Sequence, residues 1–211
     1  MNELHSDSDR LPAALERGPL ILRAGPNVGI TNEQFFRLCL LNPDLRLERT
    51  AKGDVIVTPP AGGKTGARNS NLVMQVAAWA HADGSGITFD SSTGFELPNG
   101  ALRSPDVAWV RRARLAQLSG EQKERFLPLC PDFVIELLSP SDSLSLTQEK
   151  MDEYLANGAQ LGWLIDPGFR RVYRYRPGAA VEVLDNPTPL AADPVLPGFV
   201  LDLTPIWEPG F

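Results

Sequence analysis

Histidine is nearly absent from this chain: of 211 residues, only His5 and His81 carry an imidazole. His5 lies in an aperiodic leading stretch and His81 at the end of an expected helix, so neither a zinc triad nor a Ser-His-Asp hydrolase finds its parts. Cysteine is equally scarce. Cys39 and Cys130 form no spaced pair and sit near apolar residues, which argues against a thiolate metal site or a disulfide and suits small core residues of a reducing compartment. No stretch approaches the roughly 18 apolar residues of a membrane helix. Met1 to Arg10 carries three acids and no apolar segment, so no signal peptide is read there and a cytoplasmic protein with no membrane association is expected. Basic charge is also lacking: a net charge of -6 argues against a protein that coats nucleic acid. A local basic strip remains open at Arg111, Arg112 and Arg114, or at Arg170, Arg171, Arg174 and Arg176. Its alternative is a set of solvated arginine faces.

Lysine is the rarer base, with Lys52, Lys64, Lys123 and Lys150 among 20 basic residues. In an arginine-favouring chain, a retained lysine can mark a need for a compact charge or a tunable pKa. Only Lys150 is expected on a well-formed helix close to acidic residues.

The length suits one domain with its own core. Residues 1–25 lack periodicity and read as a loose extension, leaving 26–211 as a single domain. Thr31-Asn32-Glu33-Gln34 has the form of a capping box, opening a helix that ends before Pro43. Residues 45–49 and 55–57 read as a hairpin around Lys52-Gly53-Asp54. Pro59 to Gly63 is a loop ahead of a helix over about 67–81. Gly62-Gly63-Lys64-Thr65 falls short of a phosphate loop because Thr58 stands where its first glycine belongs, so it reads as a flexible loop. Strands follow around 87–89, 94–97, 106–110 and 133–138, with a polar connector over 111–131. A helix over 146–156 stops at Asn157-Gly158, and 161–166 and 171–175 are strands meeting at Pro167-Gly168. One more short strand and a proline-rich tail complete an α/β fold, an α+β arrangement with a mixed sheet.

Asp106 opens one apolar strand, and Glu136 interrupts another, Phe133-Val134-Ile135-Glu136-Leu137-Leu138. A free carboxylate there costs several kcal/mol unless cations or donors compensate it. By alternation Glu136 shares a face with Val134 and Leu138, so it is no simple solvent-side residue. Two carboxylates on neighbouring strands suit Mg²⁺, or Mn²⁺, with the Leu137 carbonyl as a further oxygen ligand. Such a cation activates water for phosphodiester hydrolysis. Lys150 is the residue to assist the water or the phosphate. Its competing reading is an exposed helix charge paired within its own turn, and Lys150→Ala is expected to leave folding nearly unchanged. Glu48 is a fourth acid and an outer metal ligand, against the plainer reading of an outward strand position.

Taken in order, Pro59 to Gly63, the helix from Arg68 to Trp79, Arg103-Ser104-Pro105-Asp106 to Val110, Asp132 to Asp142, Lys150 to Leu155, Gly158, Trp163 to Pro167 and Val195 to Phe199 resemble the Uma-type restriction endonuclease family. The family is grouped with the PD-(D/E)xK nuclease superfamily, and the likeness spans about residues 31–204. It implies a restriction-endonuclease-like core, a central mixed β-sheet flanked by helices with Mg²⁺ at the strand ends, in a metal-dependent endonuclease acting on DNA. Pro105-Asp106 matches the motif's opening and Glu136 its acidic strand residue. The motif's lysine falls at Leu138, and the resemblance implies its relocation to Lys150 on the following helix. That departure keeps open a nuclease-fold protein that binds nucleic acid or a protein partner without cutting, or an accessory factor of a mobile element. Cutting both strands would favour a homodimer.

Overall fold

In the computed structural model, which describes residues 19–24 and 29–211, Thr31 caps the first helix as its sequence requires. The Thr31 hydroxyl accepts from Gln34 N–H while the Gln34 side chain accepts from Thr31 N–H. The described chain runs β1 (Leu20–Leu22), α1 (Asn32–Leu41), β2 (Arg46–Arg49), β3 (Val55–Thr58), α2 (Gly63–Asp83), β4 (Gly86–Asp90), β5 (Phe95–Glu96), β6 (Leu102–Arg103), β7 (Val107–Arg111), α3 (Arg112–Leu115), α4 (Gly120–Lys123), β8 (Phe133–Leu137), α5 (Leu144–Ala156), β9 (Leu161–Asp166), β10 (Arg171–Tyr175), β11 (Glu182–Asp185), β12 (Leu190–Ala191), β13 (Val200–Leu201) and α6 (Thr204–Trp207).

A six-stranded sheet has the order β11-β10-β9-β8-β7-β4, and a five-stranded sheet the order β1-β3-β2-β6-β5. In the larger sheet only β8 and β9 are parallel, with Glu136 opposite Leu164. Parallel neighbours need a crossover, and α5 supplies it. Two-residue alternation sorts the side chains of this sheet. Val107, Trp109, Phe133, Ile135, Leu137, Leu161, Trp163 and Ile165 pack with Leu72 and Val76 of α2 and with the C-terminal Leu201 and Ile206. Ala108, Val110, Val134 and Leu164 face the other way, against Met151 and Tyr154 of α5. A third cluster, Phe35, Val55 and Leu102, seats α1 on the smaller sheet.

Gly162 matters to this packing. A Cβ there would lie 2.5 Å from the Met151 Cε, so its bare face receives the end of that α5 side chain.

The structure corrects three sequence expectations. Leu20–Leu22 lies inside the stretch read as a loose extension, yet it pairs antiparallel with Val55–Val57, three apolar residues extending the sheet at its edge; residues 1–18 lie outside the described residues. Lys64 sits in the opening turn of α2 rather than in a flexible loop, because Gly62 in extended conformation already caps the helix. The polar connector holds α3 and α4, the latter opened by a Ser119/Gln122 capping box.

Candidate active site

Five elements converge where β2 and β6 of the smaller sheet meet the ends of β7 and β8, under α5. Arg46 and Glu48 stand two residues apart on β2, and both reach Ser104: Arg46 Nη2 donates to its carbonyl at 2.9 Å, and its N–H donates to Glu48 Oε1 at 2.7 Å. Asp106 precedes β7. Its Oδ2 accepts the Leu137 N–H at 2.9 Å, and its Oδ1 pairs with Arg46 Nη2 at 3.2 Å. The antiparallel register of Val107 with Ile135 brings Asp106 to the strand end that carries Glu136. On α5, Lys150, Glu153 and Tyr154 occupy positions i, i+3 and i+4, one face of a helix.

Lys150 joins the acids. Its Nζ lies 2.8 Å from Glu48 Oε1 and 2.8 Å from Glu136 Oε1. The Tyr154 hydroxyl donates to the same Glu136 oxygen at 3.0 Å. Glu136 Oε2 accepts no hydrogen bond among the described residues. Arg103 donates to Glu153 Oε2 at 2.6 Å and lies 3.4 Å from Glu48 Oε2. Glu48 and Glu136 are each only 5% exposed, so these contacts compensate charges that little water reaches.

Environment divides the two buried acids. Burial raises the Glu136 carboxyl, Lys150 opposes the rise, and repulsion from Asp106 and Glu48 adds to it, leaving it pushed up to about 7. Burial also disfavours the Glu48 charge, but Lys150, Arg103 and the Ser104 N–H outweigh it and hold that carboxyl down at about 2. Lys150 is raised: burial works against its charge, and Glu136 and Glu48 more than offset this. Burial and the neighbouring carboxylates lift Tyr154 well above its ordinary range, so it stays a neutral donor. Arg46 is raised because Asp106, Glu136 and Glu48 together outweigh its burial.

The structure thus brings Asp106, Glu136, Lys150 and Glu48 together, with Leu137 beside them through its N–H. At Lys150 it overturns only the competing reading of an exposed helix charge: the side chain is 14% exposed and bridges two carboxylates. At Glu48 it likewise overturns the outward strand position, since that carboxylate is buried and occupied at both oxygens. Among the described residues, no group of three or more His, Cys, Asp or Glu side chains is arranged to hold a metal. The oxygens that could take a cation are therefore those of the pair Asp106 and Glu136, foremost Glu136 Oε2. Sequence reasoning missed Arg46, Arg103 and Tyr154. The spacing Arg46-x-Glu48 on a strand and Lys150-x-x-x-Tyr154 on a helix was the available signal for two of them.

Six of the seven arginines in the two clusters have partners for their side chains, and Arg176 has none among the described residues. Arg111 and Arg114 pair with Asp132, and Arg112 donates to the Gly84 carbonyl. Arg170, Arg171 and Arg174 pair with Glu208, Asp185 and Glu182. No helix among the described residues is long and apolar enough to cross a membrane.

Comparison with known proteins adds two findings. The model of the family Uma2, described as "Putative restriction endonuclease", matches residues 32–204. A solved structure described as "a putative nuclease belonging to DUF820", from Anabaena variabilis, is similar at 23% identity, with a TM-score of 0.66 over 76% of this chain and 89% of that chain. That likeness establishes a shared fold. No curated protein matches the chain.

Proposed function

We propose that this chain, which belongs to the Uma2 family, is a metal-dependent endonuclease that hydrolyses DNA phosphodiester bonds. The family description and the nuclease fold of the solved neighbour set the class. The observation that carries the reading is the site itself: two carboxylates from adjacent strand ends, one with an oxygen that accepts no hydrogen bond, beside a lysine with only 14% of its side chain exposed.

The donor set fits Mg²⁺ or Mn²⁺. Hard carboxylate oxygens suit Mg²⁺, which takes one or two of them and keeps its other positions for water. Burial and then repulsion from Asp106 raise Glu136, and a cation between the two carboxylates would relieve the repulsion. Asp106 and Glu136 would hold the ion, with the Leu137 carbonyl as a further oxygen. When bound, the ion supplies a water of lowered pKa and neutralises charge on the phosphate. Tyr154 and Lys150 both hold Glu136 Oε1, which orients the carboxylate and leaves Oε2 for the cation. The Lys150 ammonium also stabilises the negative charge that grows as water adds to phosphorus and the leaving oxygen departs. Glu48 fixes that ammonium in place, so its role is to position Lys150 rather than to ligate.

One observation favours a second reading, a nuclease-fold protein that binds nucleic acid or a protein partner without cutting: Arg46 and Lys150 already neutralise the acids. A plasmid-cleavage assay titrated with Mg²⁺ and Mn²⁺ separates the two. Cleavage should require the cation, vanish in Asp106→Asn and fall about 100-fold or more in Lys150→Ala, the scale of losing a preorganised charge stabiliser. Cleavage that survives Asp106→Asn, or a parent protein inert with both cations, would overturn the enzyme.

A further inference from the structure

We propose that Arg46 is a displaceable gate on the metal site. In the metal-free protein its guanidinium stands in for the divalent cation at Asp106, and cation entry frees it to bind a phosphate of the nucleic acid. The inference rests on the nuclease reading above and assigns a residue beyond it.

Three cations line the site, and they are held unequally. Lys150 is 14% exposed with two carboxylate contacts at 2.8 Å. Arg103 is 8% exposed and lies between Glu153 and Glu48. Arg46 has 35% of its side chain exposed and one ion pair, to Asp106, at 3.2 Å. Charge-assisted N–H···O contacts are ordinarily about 2.7–2.9 Å; Lys150 and Arg103 each have one at 2.8 Å or less, whereas Arg46 has none this short and is the most exposed of the three.

The oxygen concerned is informative. Asp106 Oδ2 is committed to the Leu137 backbone N–H, a bond fixed by the β8 main chain. Oδ1 is the oxygen left for a cation, and Arg46 holds it. A divalent ion and a guanidinium competing for the same oxygen repel each other, and entry of the ion removes the charge that retains Arg46. The freed guanidinium stays tethered near the site through the Ser104 carbonyl, where its planar fork suits two phosphate oxygens better than an ammonium does.

The gate makes two opposite demands on one side chain: its removal should tighten metal binding and weaken binding of DNA. Calorimetric titration with Mg²⁺ alone, without DNA, should show Arg46→Gln binding about 10-fold tighter than the parent, the loss of one competing charge. Equilibrium binding of a short fluorescent duplex with Ca²⁺ in place of Mg²⁺ should be about 10-fold weaker, with its salt slope reduced by about 1, as for loss of one phosphate contact. Mg²⁺ binding unchanged or weaker in Arg46→Gln, or DNA binding unchanged, would overturn the gate. Should Arg46→Gln not fold, Arg46→Lys decides: Mg²⁺ affinity near the parent's with weakened DNA binding supports the forked contact, and parent-like values in both overturn it. A parent that binds no Mg²⁺ sinks the gate and the nuclease reading together. A parent whose Mg²⁺ binding is lost in Asp106→Asn but not tightened in Arg46→Gln sinks the gate alone.

Discussion

Lys150→Met tests the electrostatics of the site without any substrate. The ammonium lies 2.8 Å from oxygens of both Glu48 and Glu136, so its removal strands two buried carboxylates. Removing one partner of a buried pair typically costs about 3–5 kcal/mol. Two features reduce that cost. Glu48 keeps Arg103 at 3.4 Å and the Ser104 N–H at 2.7 Å. Glu136, already pushed up to about 7 by burial against the pull of Lys150, can take a proton. Without Lys150 its folded pKa rises further, so below that pKa the folded state keeps a proton that the unfolded chain has released. A raised carboxyl contributes stability that is lost as pH rises from the unfolded to the folded pKa, and the variant loses more of it over a wider window than the parent. Destabilisation should therefore be about 3 kcal/mol at pH 8 and about 1 kcal/mol near pH 5. Urea unfolding of both proteins at the two pH values, with matched m-values, measures it. A loss below about 1 kcal/mol at both pH values, the ordinary result for an exposed helix charge, would refute the buried bridge.

The proton on Glu136 sets a slope of its own. Between pH 4.5 and 7 the parent should lose about 3 kcal/mol through this group, at about 1.4 kcal/mol per pKa unit, and Glu136→Gln should flatten that part of the pH–stability curve; an unchanged slope would assign it elsewhere. Metal binding should expel the same proton. Mg²⁺ titrations in two buffers of different ionisation enthalpy should then show about one proton released at pH 6 and almost none at pH 8.5, and equal release at both would place the titration outside the ligand pair. Gly162→Val should cost about 2 kcal/mol by overpacking α5 against β9, and it should lower cleavage as well by shifting the helix that carries Lys150; thermal melts and the plasmid assay read the two effects.

Much of the fold was legible because local signals and tertiary packing agree. The Thr31 capping box, the hairpin around Gly53 and the stop at Asn157-Gly158 are each set by a few adjacent residues, and each stands where the spacing predicts it. Glu136 was legible by contrast, as a carboxylate in an apolar strand. Leu20–Leu22 was missed because three apolar residues carry no period, and they become a strand only by pairing with β3. The short helices in the connector have too few turns to show an apolar stripe. Arg103 was hidden for another reason: it follows one apolar residue on a two-residue strand, and its buried place depends on Glu48 and Glu153, 55 and 50 residues away in sequence.

The side from which Lys150 reaches Glu136 has a physical explanation in the packing of β8. Position 138 follows Glu136 on the same face, so a lysine there would extend from the sheet that holds the acid. Leu138 instead packs with the cluster that contains Val134, Met151 and Tyr154, closing the gap between the strand end and α5. The same helix supplies the positive charge from the opposite side, and Glu48 on β2 holds the ammonium at a second point. A strand-borne lysine would need only its own strand to be aimed. This one needs the crossover helix, the Gly162 contact that seats it and a carboxylate from the other sheet. Its position therefore reports on assembly of the whole domain, and the three elements should couple: Glu48→Gln should weaken the hold on Lys150, raise cation mobility at Glu136 and lower cleavage without touching metal or phosphate. Chemical-shift titration of the Lys150 ammonium in the parent and in Glu48→Gln would show it. A Lys150 signal indifferent to Glu48 would mean that α5 alone aims the charge.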